Sequence, residues 1–322
     1  MPAFPLEHAP AVAAALLLAL AIDRWLGEPP TRWHPVVWMG QYLGWIGSRI
    51  APPMAKAKPR DLSLFLIGVL TWCVGATCVG VVATGGQAAM VQWLPAWALA
   101  MALALALKPL FAWRMLHDEV LAVEAALGFS VDAGRAQLAR LVSRDVCALS
   151  EREVRESAIE SLAENLNDSL VAPLFWFVLL GLPGAAVYRF ANTADAMWGY
   201  RGERNGRDWT WFGKWAARAD DVLSWLPARL TALLLALAAL QWPPGVAREA
   251  RRTPSPNSGW PMAAMALLLG VRLAKPEVYA LNAEGRPAEA ADTNRAAQLG
   301  GRAALVLAVC ASLAIFAITR PA

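Results

Sequence analysis

No Lys or Arg lies between Arg60 and Lys108, and inside that interval the runs 62–84 and 94–107 are apolar. A helix of about 20 apolar residues matches the roughly 30 Å hydrocarbon core of a bilayer. The first run reaches that length and the second is shorter; with the composition they make the chain an integral membrane protein. Composition agrees: 57% of its 322 residues are hydrophobic and 17% charged, against about 25% charged in a soluble domain. Backbone N–H and C=O groups in lipid must be satisfied within the segment that carries them. The expected fold is therefore all-α, a polytopic membrane helical bundle in a single integral membrane domain, 1–322, with amphipathic cytoplasmic helices and one or more re-entrant segments. Net charge is +4 with basic residues scattered among acids, which excludes a nucleic-acid partner and leaves the lipid bilayer as the surrounding medium.

Further apolar runs at 9–22 and 302–318 predict a first and a last span. Glu7 and His8 stand where a secretory leader carries basic residues, so 9–22 reads as a retained span. Positive-inside bias puts 23–61 and 108–168 in the cytoplasm and the 85–93 linker outside. The region 23–61 reads as a polar loop, with prolines excluding a long helix before Pro35. Apolar spacing predicts helices over 111–127 and 131–142. Ser150 and Glu153 form a capping box that starts a helix running to about residue 167. Helices are also expected at 185–200 and 209–226, and apolar runs lie at 170–180, 230–240 and 260–271. Basic residues are equally dense in 189–218, 248–252 and 272–302, so 170–180 or 260–271 is expected to enter the membrane without crossing it. Trp25, Trp93, Trp97, Trp113, Trp225 and Trp242 flank the spans as interfacial anchors do. Cys73, Cys78 and Cys310 sit in apolar runs as small buried groups, and no Cys-x-x-Cys pair suggests zinc.

Polar residues gather at four places. On the capped helix, Glu153, Glu156, Glu160, Glu164 and Asn167 share a face. Glu153 and Glu156 read as its solvated part. Glu160, Glu164, Asn165, Asn167 and Asp168 crowd the end nearest the apolar run 170–180. Carboxylates at a membrane boundary must be solvated, paired or bound to a cation, and carboxylate oxygens suit Mg²⁺. Asn192 and Asp195 share one face of an otherwise apolar helix, where they are costly unless satisfied. Lys214, Arg218 and Asp221 share a third face beside Asp220, a pattern that can grip phosphate and metal or form simple salt bridges. Ser255 and Asn257 lie in a Ser-Pro-Asn-Ser-Gly turn that can offer N–H groups to an anion. The lone His34 reads as structural. No Walker loop, dinucleotide fingerprint, zinc-protease motif or nucleophile elbow is present.

These stretches, in order, resemble the adenosylcobinamide-phosphate synthase family of cobalamin biosynthesis: DRWLGEPPTRWHPVVWMG, RLVSRDVCALSEREVRESAIESLAENLNDSLVAPLFW, NTADAMWGYR, GKWAARADDVLSWLPARLTALLL and SPNSGWPMAAMALLLGV. The family's opening Asp-Pro pair is Asp23-Arg24 here, with prolines displaced to Pro29 and Pro30, and the tail after Tyr279 is a looser match. The resemblance implies a multi-pass protein of the cell inner membrane with its active site facing the cytoplasm. It implies an ATP-dependent ligase that uses Mg²⁺ to join aminopropanol or its phosphate to a propionate of adenosylcobyric acid, a corrinoid, through an amide. Other late cobalamin-pathway membrane enzymes are implied partners. On this reading Glu164, Asp168, Asp220 and Asp221 are metal ligands. Arg201, Lys214 and Arg218, with Ser255 and Asn257, bind substrate or phosphate. Asn165, Asn192 and Asp195 orient substrate or deprotonate the amine. The residues themselves leave two other readings open: a membrane signalling or interaction protein related to β-lactamase regulation, and a transporter.

Overall fold

A computed structural model of the protein describes Phe4 and residues 6–319. It is a helical bundle with two short β-hairpins outside the apolar part. Among the described residues, five helical segments are long and apolar enough to cross a membrane, or six if one bent pair counts as a span. The protein is thus built as a multi-pass membrane protein.

The first helix, α1 (Ala9–Leu26), runs four residues beyond the apolar run 9–22 and carries Asp23 into the core at its last turn. Residues 35–50, expected to be part of a polar loop, form α2 (Pro35–Ile50). Pro35 sits at its first position, where a missing N–H costs nothing. Asp61 caps α3 (Leu62–Trp93) by accepting from the Leu64 N–H at 2.9 Å. This helix absorbs the expected 85–93 linker. A Cβ at Gly85 or Gly86 would meet nothing within 4 Å, so no close packing demands glycine there, and in lipid a helix is the cheapest way to satisfy the backbone. The chain breaks at Leu94–Pro95 into α4 (Ala96–Leu107), followed by α5 (Trp113–Leu127) and α6 (Val131–Leu138).

The spine of the molecule is the segment Glu151–Trp198. It comprises α7 (Glu151–Leu166), a π-helical stretch Asn167–Val171, and α8 (Ala172–Trp198). The Ser150–Glu153 capping box starts it, as the sequence predicts. At Gly181 the backbone takes φ 70°, ψ −157°, a region open to glycine and strained for any other residue. There the chain turns back. A straight helix would put Asp168 and Arg189 about 31 Å apart, yet Arg189 Nη1 donates to the Asp168 carbonyl at 3.3 Å. The run 170–180 is therefore one arm of a helical hairpin and 182–198 the other. Gln87, buried in α3, accepts from the Leu182 N–H at 2.7 Å, satisfying a donor that the turn removes from the helix ladder.

After a small hairpin, β1 (Glu203–Arg204) and β2 (Arg207–Asp208), come α9 (Lys214–Leu223) and α10 (Trp225–Ala239), bent by 46° at Ser224. Then follow α11 (Val246–Ala250), α12 (Gly259–Leu269), the hairpin of β3 (Leu273–Lys275) and β4 (Tyr279–Leu281), and α13 (Ala290–Thr319), which starts well before the expected span 302–318. The outgoing arm of α8 packs Leu174 and Phe177 into a main core with α1, α4, α7, α10, α12 and α13. The returning arm puts Phe190, Ala194 and Trp198 into a second core with α2, α3 and α9. Trp25, Trp93, Trp97, Trp225 and Trp242 are exposed as expected of anchors, whereas Trp113 packs on Gly300. Cys78 and Cys310, expected to be buried, are exposed on their helices, and all four cysteines are free.

Candidate functional site

Two helix breaks, the π-helical stretch 167–171 and the bend at Ser224, meet the base of the returning arm of α8. A break frees backbone groups and lets polar side chains point between helices, which is why π segments recur at functional sites. The Ala112 N–H donates to the Ser169 carbonyl at 2.9 Å, anchoring the π stretch to the start of α5. Thr231 of α10 donates to Asn167 at 3.2 Å, and Asn167 donates to Asp168 Oδ1 at 2.7 Å. On the returning arm, Arg189 donates to Asn192 at 3.2 Å, and Asn192 donates to Asp220 of α9 at 3.4 Å. Tyr188 and Ser224 share a hydrogen bond of 3.1 Å, and Trp176 Nε1 donates to the Leu223 carbonyl at 3.1 Å.

Around this lattice stand five carboxylates: Glu164, Asp168, Asp195, Asp220 and Asp221. Asp168 lies within Coulombic reach of Glu164, Asp195 and Asp220, and Asp195 within reach of Asp221. None of the five makes an ion pair among the described residues, and Arg189 is the guanidinium bonded into their lattice. Five half-buried carboxylates around one bonded guanidinium leave net negative charge at this place. Among the described residues no three His, Cys, Asp or Glu side chains form a ready-made metal site. The expected metal ligands Glu164, Asp168, Asp220 and Asp221 are thus not gathered into one ligand set of three or more.

The other expected residues distribute unevenly. Asn192 and Asp195 fall inside the cluster. Asn165 is one turn of α7 away, where its amide donates to the Ser161 carbonyl at 2.9 Å. Arg201 is exposed and faces Asp221 electrostatically. Lys214 Nζ lies 4.1 Å from the centre of the Trp211 ring, and Arg218 is exposed. No ion pair joins Arg218 to Asp221 among the described residues. Ser255 Oγ accepts from the N–H groups of Asn257 and Ser258 at 3.2 and 3.3 Å, so those donors are already used within the turn. Asn257 is buried, donates to the Asp221 carbonyl at 2.7 Å and accepts from Arg229 at 3.0 Å, holding the α9–α10 bend against α12.

Glu156 is not solvated. It is 2% exposed, accepts from Arg152 at 2.7 Å, and takes the Ala274 N–H of β3 at 3.0 Å. Its partner is 118 residues away, which helix periodicity cannot reveal.

A second group reaches the site from the N-terminal motif. Lys108, 3% exposed, bonds Glu28 at 2.8 Å and Asp23 at 3.1 Å. His34 Nε2 lies 3.2 Å from Glu28, and the Arg114 backbone N–H donates to Asp23 at 2.8 Å. Burial pushes the Glu28 carboxyl up, but hydrogen bonds from His34 and Lys108 outweigh it and hold it below the usual carboxylate range. Glu28 lies within Coulombic reach of Arg189, so this buried ion group backs the acidic cluster. Arg189, Glu28 and Lys108 were not among the expected site residues. The signal was present in two forms: a lysine that ends an apolar span, and an arginine one turn before Asn192.

Residues 16–308 match the family described as CobD/Cbib protein. The "Probable cobalamin biosynthesis protein CobD" of Methanothermobacter thermautotrophicus is 40% identical over 297 residues, covering 88% of this chain and 90% of that protein. The protein of the same description from Thermococcus kodakarensis is 42% identical over 263 residues, 82% of this chain and 83% of its own. The "Cobalamin biosynthesis protein CobD" of Brucella suis biovar 1 is 38% identical over 310 residues, covering 87% and 90%. No solved structure matches the chain.

Proposed function

Because the chain belongs to the CobD/CbiB protein family and is a cobalamin biosynthesis protein, we propose that it catalyses ATP-dependent amide formation between a propionate carboxyl of adenosylcobyric acid and aminopropanol or its phosphate. The observation that supports this reading is the acidic cluster of Asp168, Asp195 and Asp220, with Arg189 as the guanidinium bonded among them, where the π-helical stretch and the bend at Ser224 meet the returning arm of α8.

A carboxylate is a poor acceptor for an amine. Transfer of the γ-phosphoryl group of ATP to the propionate gives an acyl phosphate and ADP. The amine nitrogen then attacks the acyl carbon, phosphate leaves, and the nitrogen loses a proton. Mg²⁺, when bound, offsets negative charge on the transferring phosphoryl group. One or two of Glu164, Asp168, Asp220 and Asp221 would hold it, with water and the ATP phosphates completing its shell. Asn192, fixed between Arg189 and Asp220, orients the acyl group, and Asp195 on the same arm takes the proton. Arg189 and Arg201 supply positive charge for phosphate, with Lys214 and Arg218 on the outer approach. The broad corrinoid lies against the exposed tryptophans at the cytoplasmic surface of the inner membrane.

The test is an assay of purified protein with adenosylcobyric acid, aminopropanol phosphate, ATP and Mg²⁺, with product read by mass. Amide product that requires both ATP and Mg²⁺ is expected, and Asp195→Asn and Asp220→Asn should each lower turnover by about 100-fold or more, the scale of losing a positioned proton acceptor or charge stabiliser. Full turnover in Asp220→Asn and Asp195→Asn would overturn the assignment.

A further inference from the structure

The end of α2, the loop 51–61 and the β1–β2 hairpin are tied into one surface. The Met54 N–H donates to the Gly206 carbonyl and the Asp208 N–H to the Pro52 carbonyl, both at 3.0 Å. Trp211 Nε1 donates to the Pro59 carbonyl at 3.1 Å, and Arg207 bonds the Ala51 carbonyl. The surface carries Arg49, Lys56, Lys58, Arg60, Arg204 and Arg207, none of which makes an ion pair among the described residues. Acids do not offset them. Asp61 is taken up by Ser63 and the Leu64 N–H at the start of α3. Asp208 is buried and bonded to Thr210, which leaves Glu203 as the exposed acid of these segments. Arg204 holds its guanidinium 3.8 Å from the centre of the Tyr200 ring, and its Nη1 is buried with no hydrogen-bond partner in the chain. Buried polar atoms are nearly always satisfied, so that nitrogen is a donor awaiting an acceptor from outside.

The depth of this surface follows from α3. Leu62, Leu66 and Leu70, about one turn apart, are 55%, 56% and 63% exposed, a lipid-facing stripe that begins where the loop ends. The loop therefore lies where hydrocarbon gives way to headgroups. Trp45 agrees with that level: it is exposed, and the Arg49 guanidinium sits over its ring at 4.3 Å, an apolar body beside a cation as in interfacial anchors. Unpaired cations at headgroup depth, flanked by exposed Trp45, Met54 and Leu62, match a molecule with a phosphate at one end and acyl chains at the other. A soluble nucleotide would meet the cations but have no use for the apolar flank. We propose that the end of α2, the loop 51–61 and the β1–β2 hairpin form a binding surface for anionic phospholipid of the adjoining leaflet, with headgroup phosphates on the cations and acyl chains along the start of α3. This binding does not depend on the amide-forming reading above.

Native mass spectrometry of the purified full chain, titrated with phosphatidylglycerol and with phosphatidylcholine of the same acyl chains, tests it. The unaltered protein is expected to hold the anionic lipid at least about tenfold more tightly, and to lose that preference as salt is raised. The triple variant Lys56→Gln, Lys58→Gln, Arg60→Gln should weaken phosphatidylglycerol binding by about fivefold for each charge removed, and leave phosphatidylcholine binding within about twofold. These three side chains are exposed and make no hydrogen bond or ion pair among the described residues, so the variant should keep its fold, which circular dichroism checks. Equal binding of the two lipids by the unaltered protein would overturn the proposal. So would an equal loss per charge in Arg251→Gln with Arg302→Gln, two exposed arginines outside this surface, because it would show attraction to net charge alone. An ATP titration supplies the remaining arm. A triple variant that binds ATP more weakly and keeps its lipid preference would assign the surface to a soluble polyanion and overturn the proposal as well.

Discussion

Asp220 and Asp168 are held near one another by hydrogen bonds from amides, with Arg189 as the guanidinium bonded into their lattice. Such an arrangement is unfavourable in the resting protein and useful only when a cation or substrate enters. Removing one charge should relax it. Asp220→Asn is expected to raise the thermal midpoint by a few degrees, on the order of 1 kcal/mol, while losing turnover; a lowered midpoint in differential scanning fluorimetry would show the cluster to be structurally required. Glu28 behaves oppositely. Its carboxyl is held below the usual range by His34 and Lys108, so its ionised form stabilises the fold above the unfolded-state value near 4.5. That contribution is lost as pH falls through the lower folded-state value. The midpoint should therefore drop below about pH 4.5 more steeply in the native protein than in Glu28→Gln. Parallel profiles would count against the Glu28–Lys108 pair as a source of acid sensitivity.

At the scale of helices, the chain announces what is decided locally. Ser150 and Glu153 cap α7 as their spacing requires, and Ser150→Ala should cost about 1 kcal/mol without altering the chemistry, a loss readable by thermal unfolding. Asn192 and Asp195 were legible as costly residues on an apolar helix, and they reach the cluster. Glu156 was not legible, because its burial depends on the Ala274 N–H of a distant hairpin. Nor was the continuation of α3 through Gly85 and Gly86: glycine and glutamine suggest a linker in water, but lipid offers the backbone no alternative partner. Gln87 reads as part of that linker, yet it is the acceptor that seals the turn at Gly181. Gln87→Leu should leave the Leu182 N–H unsatisfied at a cost of about 1–3 kcal/mol. Gly181→Ala should cost at least as much, since the added carbon would stand 2.3 Å from Gln87 Oε1 in a strained backbone region. Both are measurable as lowered midpoints in detergent.

For the whole molecule, two cores share one helical hairpin: the outgoing arm and the first turns of the returning arm lie in one, and the end of the returning arm lies in the other. The catalytic proposal needs α7, α8 and α9 to hold their acids together, and these belong to both cores. Orientation is open to direct measurement. Cys147 is exposed in the polar region between α6 and α7, while Cys78 and Cys310 lie on apolar helices. With the acidic cluster on the cytoplasmic side, a membrane-impermeant maleimide should label Cys147 in inverted vesicles and spare it in intact cells; labelling of intact cells would reverse the topology.

The turn at Gly181 also bears on how the protein is made. Gln87 leaves the ribosome long before Leu182, so α3 is in the bilayer when the hairpin that needs it is synthesised. Until that contact forms, the hairpin has an unpaired amide at its tip and several acids at its base, a poor candidate for stable residence in lipid. Its integration should therefore be post-insertional, templated by a neighbour already in place. A version synthesised without residues 62–93 is expected to leave the hairpin open to added protease in membranes, and full protection of that hairpin would refute the order.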